Sequence, residues 1–431
     1  MSKLILRNFQ SPGDIVMLTA AVRDLHQCCP GQFLTDVRTP CPGLWENNPN
    51  ITPLDEQAAD VKIVQCEYPL IHHSNQRPYH FIHAFTRFLS DRLGVFIEPT
   101  AFKGDIHLSE REKSWISQVR EITGKDIPFW IIVAGGKFDY TAKWWDQARY
   151  QQVVDHFQGK IQFVQVGEQG HHHPALQGVI DLRERTDTRQ FVRLMYHAQG
   201  VLCPITFAMH LAAAVEVKGG HPKNRPCVVV AGGREPMQWE AYPHHQYIHT
   251  NGALACCGNG GCWKSRVLPL GDGDAKDKPE NLCVDVVGTL PHCMDMITAE
   301  EVIRRIELYF QGGVCRYLDG GKANAGQNGH AKAQKLVTLA FAPPERGMKR
   351  NNEPLTLETA LERMDDFIES LSACPGGKEN GKGPPSPRPS PPGEGEVAPP
   401  AGLSERSDNP SRVETGPAVP ASLPLLGRGP G

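Results

Sequence analysis

Between residues 1 and 312, short apolar runs ending in Gly- or Pro-bearing turns alternate with segments of helical periodicity. That alternation restricts the fold more than any other feature, because a strand that feeds a helix and returns to a parallel neighbour builds an α/β layer structure. The first half opens with Leu4-Ile5-Leu6, a turn at Ser11-Pro12-Gly13-Asp14 and a helix through Leu25. Residues 32–37 and 61–66 are its further strands, and Ser109-Glu110-Arg111-Glu112 is a capping-box pattern that starts a helix near its end. The second half alternates a strand at 128–133, a helix at 145–157, a strand at 161–166 and a helix at 188–197. It continues with a strand at 200–202, a helix at 208–215 and a strand at 227–231. Thr298-Ala299-Glu300-Glu301 then caps a last helix that runs to about residue 310. The pattern predicts two α/β domains with mostly parallel sheets, 1–125 and 126–312, facing across a cleft. In such folds ligands sit beyond the carboxyl ends of the strands, so the loops there are where chemistry is expected.

The rest of the chain reads differently. Residues 313–352 show little periodicity, and Leu357, Leu361, Met364, Ile368 and Leu371 predict an amphipathic helix over 356–372, so 313–373 is an irregular connection plus helix. From Cys374 onward, 14 of 58 residues are proline and 11 are glycine. A chain of that composition buries too little apolar surface to offset its ordering entropy, and 374–431 is expected to be a disordered tail. A formal net charge of −3 over 431 residues gives no basic excess, which argues against a nucleic-acid partner. The apolar runs fall far short of the roughly 20 residues of a membrane span, and the N-terminus lacks a signal-peptide core. The expectation is a cytoplasmic protein.

Three post-strand loops carry candidate chemistry. In Gln10-Ser11-Pro12-Gly13-Asp14, glycine permits a tight turn and Asp14 enters the first helical turn. Asp14 is either a helix-favouring carboxylate or a base at the cleft mouth that takes a proton from a hydroxyl. Gly135-Gly136 leads through Tyr140, Thr141 and Lys143 into Trp144-Trp145, where hydroxyl and lysine donors ahead of a helix suit a diphosphate. Its spacing is not that of a Walker loop. In Cys203-Pro204-Ile205-Thr206-Phe207-Ala208-Met209-His210, a strand ends and an Ala-rich helix begins, with Thr206 and His210 at its start.

In their order and spacing these loops resemble glycosyltransferase family 9, the heptosyltransferases that use ADP-heptose. The likeness also runs through Trp45-Glu46-Asn47-Asn48-Pro49-Asn50-Ile51, Lys143-Trp144-Trp145, Val166-Gly167, His210-Leu211-Ala212-Ala213-Ala214 and Gly232-Gly233-Arg234-Glu235-Pro236. It covers about residues 1–312. The resemblance implies a GT-B fold of two Rossmann-like domains, with acceptor on the first and nucleotide sugar on the second. It implies an inverting transfer from an ADP-sugar donor to a hydroxyl of a glycan or lipopolysaccharide-type acceptor, with no metal needed for the chemistry. Asp14 matches the general base; Thr141, Lys143, Thr206, His210 and Gly233 match the donor side. Ile205 and Phe207 depart from the family pattern, standing where an aspartate that contacts sugar hydroxyls and a glycine are usual.

Of 13 cysteines, Cys256, Cys257, Cys262, Cys283 and Cys293 crowd into a short stretch. In a reducing compartment such a cluster points to metal rather than disulfides. Cys257 or its neighbour Cys256, with Cys262, Cys283 and Cys293, suits a four-thiolate structural iron or zinc site that leaves no open position for substrate. A branch of the resembling family that glycosylates bacterial autotransporter proteins binds iron through four cysteines, which adds a protein O-heptosyltransferase as an alternative. A non-catalytic nucleotide-sugar-binding scaffold and a metal-binding interaction protein are the alternatives outside enzymes. His171-His172-His173 reads as a solvated loop, and Cys66 and Cys227 as core residues.

Overall fold

A computed structural model describes residues 1–220 and 224–318. The expected connection and helix at 313–373, beyond residue 318, and the expected tail at 374–431 lie outside the described residues.

The first half comprises β1 (Ser2–Arg7), α1 (Pro12–Cys28), β2 (Phe33–Arg38), β3 (Val61–Gln65), α2 (Ile82–Leu93), α3 (Glu110–Lys113) and α4 (Gln118–Thr123). Its three strands are parallel in the order β2-β1-β3. The chain therefore steps from β1 to one side and then crosses to the other, leaving a switch point between β1 and β3. Ser109 does cap α3 with a reciprocal capping box through Glu112, but the helix ends after four residues. Helix α2 was not expected from the sequence. Ile82, Phe85 and Leu89 have helical spacing and are buried, yet no side chain caps its start and His83, Arg87 and Asp91 interrupt the run.

The second half runs β4 (Phe129–Ile132), α5 (Gln147–His156), β5 (Gln162–Gln165), β6 (Ile180–Asp181), α6 (Thr188–His197), β7 (Gly200–Pro204), α7 (Phe207–Ala214), β8 (Cys227–Gly232), α8 (Met237–Glu240) and β9 (His245–His249). β10 (Val286–Val287), β11 (Leu290–Pro291), α9 (His292–Asp295) and α10 (Ala299–Gln311) follow. The six-stranded sheet has the order β6-β5-β4-β7-β8-β9, all parallel. Renumbered from β4, that is the 3-2-1-4-5-6 order of a doubly wound nucleotide-binding sheet. Its switch point lies between β4 and β7.

Side-chain alternation distributes the core. Phe129 and Ile131 of β4 join the apolar cluster shared with α1, α7 and the first half, whereas Trp130 and Ile132 face α5 and α10 on the opposite layer. Strands β4, β7 and β8 are buried along their whole length, as a parallel sheet covered on both faces requires. All described residues fall within one compact unit, so the two sheets share a core. Helix α1 lies directly against α7, which brings the loop after β1 to the loop after β7.

Cys66 and Cys227 are buried in the core, as expected. The histidine run is less solvated than the sequence suggests. Gly136 and His172 exchange backbone hydrogen bonds, and the His172 ring stacks on Trp144 at 4.2 Å. The loop therefore braces the start of the segment that carries Lys143.

Candidate active site

Each sheet presents one loop pair at its switch point. In the first half, Asp14 follows β1 and Tyr68 follows β3, and the Tyr68 hydroxyl donates a 2.6 Å hydrogen bond to Asp14 Oδ1. Asp14 sits in the first turn of α1, where the exposed amide ends favour a carboxylate. Burial nevertheless raises its pKa, and the bond from Tyr68 and the field of Lys143 only partly offset that. The result is a carboxylate more basic than an ordinary aspartate, which is the property a proton acceptor needs.

In the second half, Lys143 ends the 3-10 segment Phe138–Lys143 after β4. Its Nζ pairs with Glu235 Oε1 at 2.7 Å and lies 5.5 Å from the Tyr140 ring centroid. Glu235 also pairs with Arg234, whose guanidinium stacks over Tyr140 and Trp263. Thr141 Oγ1 accepts from the Val267 amide at 2.8 Å, and the Ala142 amide donates to the Ser265 carbonyl. The 139–143 segment is thus held against residues 265–267. Arg266, fully buried, strengthens that seat through Asp139, Asp272 and Asp277.

Thr206 caps α7, its side chain accepting from the Ala208 amide at 3.1 Å. His210, one turn on, is buried, with Nδ1 2.8 Å from the Tyr242 hydroxyl and Nε2 3.4 Å from Glu240 Oε2. Burial holds its pKa well below the ordinary value, so the ring is neutral. Gly13 packs closely opposite it: a Cβ there would stand 3.1 Å from His210 Cδ2, tighter than most contacts allow. Lys137 Nζ reaches across to Ser11 Oγ at 3.1 Å, tying the loop after β4 to the loop after β1. Ile205 is buried, and Phe207 packs edge-on against Phe191.

Three elements, the loop after β1 with Asp14, the segment after β4 with Lys143 and the start of α7 with Thr206 and His210, therefore come to one region between the halves. Gly233 is placed differently, beneath the cysteine loop, where a Cβ would stand 3.0 Å from Cys257 Sγ. Sequence reasoning missed Tyr68 and Glu240. Tyr68 lies in the loop after β3, and Glu240 ends the short helix α8 in the stretch after β8 that the family resemblance already covers, but nothing local singles out either side chain.

Comparison with known proteins agrees with this architecture. No family model and no curated protein matches the sequence. Among solved structures, the iron-containing dodecameric heptosyltransferase TibC of enterotoxigenic E. coli, in complex with ADP-D-β-D-heptose, aligns with a TM-score of 0.50 at 16% identity. The alignment covers 72% of this chain and 76% of that one. The fold is that of a heptosyltransferase. A glycosyl transferase family 9 protein from Veillonella parvula aligns at 13% identity and TM-score 0.49, over 71% of this chain and 96% of its own. The E. coli ADP-heptose lipopolysaccharide heptosyltransferase II does so at 14% and 0.46, over 72% and 98%. The GT-B expectation holds: two parallel sheets, each with its switch point, and the loops after the strands brought together between them.

The cysteine-rich segment packs beside the same loops. Cys256, Cys262, Cys283 and Cys293 line one small cavity together with Ala142, Gly233 and Arg234. Burial pushes the Cys256 thiol up to about 11 and the Cys293 thiol up to about 12, and neighbouring cysteines add to both shifts. Cys257 does not line the cavity but lies beside Gly233, which does, and its Sγ donates to the Thr250 and Leu254 carbonyls at 3.4 Å each. Among the described residues no three Cys, His, Asp or Glu side chains stand at metal-holding geometry. In kind, four cysteine sulfurs are the donors that iron or zinc takes in a four-thiolate site. No helix among the described residues is long and apolar enough to cross a membrane.

Proposed function

We propose that this chain is an inverting glycosyltransferase that moves a sugar, heptose, from an ADP-sugar to a hydroxyl of a glycan or lipopolysaccharide-type acceptor. One observation carries the reading. A basic carboxylate on one half, Asp14, and a cation on the other, Lys143, lie close enough that the lysine's field acts on the carboxyl. That is the pairing a direct displacement needs. The acceptor oxygen attacks the anomeric carbon and its proton passes to Asp14. The bond from that carbon to the diphosphate oxygen breaks, and its electron pair leaves with ADP. Lys143 and the amide end of α7 face the charge that develops there, the interaction that contributes most in such sites. Tyr68 orients Asp14 by its hydrogen bond.

The cysteine cavity supports a structural metal, iron or zinc, held by Cys256, Cys262, Cys283 and Cys293. A closed four-thiolate site would fix the loop and take no part in the chemistry. Cys283 donates its amide to the Arg266 carbonyl at 2.7 Å, so the cysteine segment is continuous with the seat of Thr141. The test of function is transfer from ADP-heptose by the purified chain, with Asp14→Asn beside it. Turnover that falls in the variant while ADP-heptose still binds supports the reading. Full turnover in Asp14→Asn removes the base assignment, and tight donor binding without turnover across a broad acceptor panel favours the scaffold alternative.

A further inference from the structure

Glu240 closes the short helix α8 and is buried, and its Oε2 makes no well-aligned hydrogen bond among the described residues, although His210 Nε2 stands 3.4 Å away. Glu235, on the same loop, is likewise buried with Oε2 unpartnered. Buried carboxylate oxygens are almost always satisfied, so two under-satisfied oxygens on one loop leave acceptor capacity that a ligand's hydrogen-bond donors would fill. The surroundings restrict that ligand. Glu240 lies 3.4 Å from His210 Nε2 and within the fields of both Asp14 and Lys143. Both charges therefore act on it. Another anion is disfavoured there, because Asp14 and Glu235 already oppose negative charge at Glu240. Neutral hydroxyl donors fit.

We infer that Glu240 receives a hydroxyl of the donor sugar and so selects the sugar rather than the nucleotide. This rests on the transferase reading, in which the reacting sugar occupies the space between Asp14 and Lys143. Burial and the neighbouring Glu235 carboxylate push the pKa of the Glu240 carboxyl well above its ordinary value, which favours the neutral form. A neutral carboxyl both accepts and donates, so its amide isostere preserves most of the contact.

The test is calorimetric binding of ADP and of ADP-heptose to the full chain, wild type beside Glu240→Ala and Glu240→Gln. The expected result is that Glu240→Ala weakens ADP-heptose roughly tenfold, the loss of one hydrogen bond to a buried group, while ADP binding stays within about twofold. Glu240→Gln is expected to restore most of the ADP-heptose affinity. Equal weakening of both ligands in Glu240→Ala, which a structural role would give, overturns the inference, and so does no change in either. Should removing the side chain prevent folding, Glu240→Asp withdraws the carboxyl and is expected to weaken ADP-heptose alone; unchanged binding there overturns the inference. A folded wild type that binds neither ligand sinks the transferase reading, and the inference falls with it.

Discussion

Lys143, after β4, and Glu235, after β8, meet at 2.7 Å across the end of β7. The pair ties the loop after β4 to the loop after β8 and holds the cation on a carboxylate that is itself buried. Lys143→Ala is expected to weaken ADP roughly 10- to 100-fold, the range for losing a charge-assisted hydrogen bond. Calorimetry with ADP checks this. The loss is expected to shrink as salt rises, because the lysine is partly exposed.

Asp14 governs the acid side of the rate profile. Its pKa is raised from 3.8, chiefly by burial, and only the ionised form accepts a proton. Activity is therefore expected to fall as pH drops through that raised value. Tyr68 stabilises the charged carboxylate, so Tyr68→Phe raises the pKa further and moves the acid limb to higher pH. Asp14→Asn is expected to lower turnover by about 10²–10⁴ with ADP-heptose affinity retained. A pH–rate profile of the wild type and both variants checks these three statements.

Arg189 of α6 joins the halves, bonding both carboxylate oxygens of Glu112 as well as the His107 and Gly43 carbonyls. The Arg189 and Ser109 contacts bring Glu112 down from 4.5 to about 2, even though burial acts the other way. A depressed carboxylate stabilises the fold above its unfolded pKa and loses that contribution as pH falls towards its folded one. Glu112→Gln is therefore expected to lower Tm at neutral pH, with the deficit against wild type narrowing between about pH 4.5 and 2. Melting curves across that window decide it.

Arg266 is the buried link between the cysteine segment and the 139–143 loop. Arg266→Ala leaves Asp139, Asp272 and Asp277 without their common cation. The expected outcome is a lower Tm together with weaker ADP binding, measured on one sample. Unchanged ADP affinity would show that Thr141 and Lys143 hold their places without it.

Metal content separates the two adjacent cysteines. Cys256→Ser, Cys262→Ser, Cys283→Ser and Cys293→Ser are each expected to lower bound iron or zinc. Cys257→Ser, whose sulfur faces the Thr250 and Leu254 carbonyls, is expected to retain it. Elemental analysis of the purified variants is the measurement.

Local patterns alone determined most of the elements. Strands such as β8 show as apolar runs, and α1, α6 and α10 show as helical periodicity with Pro, Asp187 or Thr298 at their starts. These signals survive because capping and amphipathicity act within a few residues of one another. Asp14 and Lys143 could be placed at strand-to-helix turns for the same reason. Cys256 and Cys257 could not be told apart, since adjacent residues point in different directions only once the backbone is folded. Tyr68, 54 residues from Asp14, became its partner through the parallel register of β1 with β3. Glu240 met His210 because α7 and α8 follow neighbouring strands β7 and β8 of one sheet. Those pairings are decided by strand order and by helix contact between the halves, which bring residues far apart in the chain within hydrogen-bonding reach.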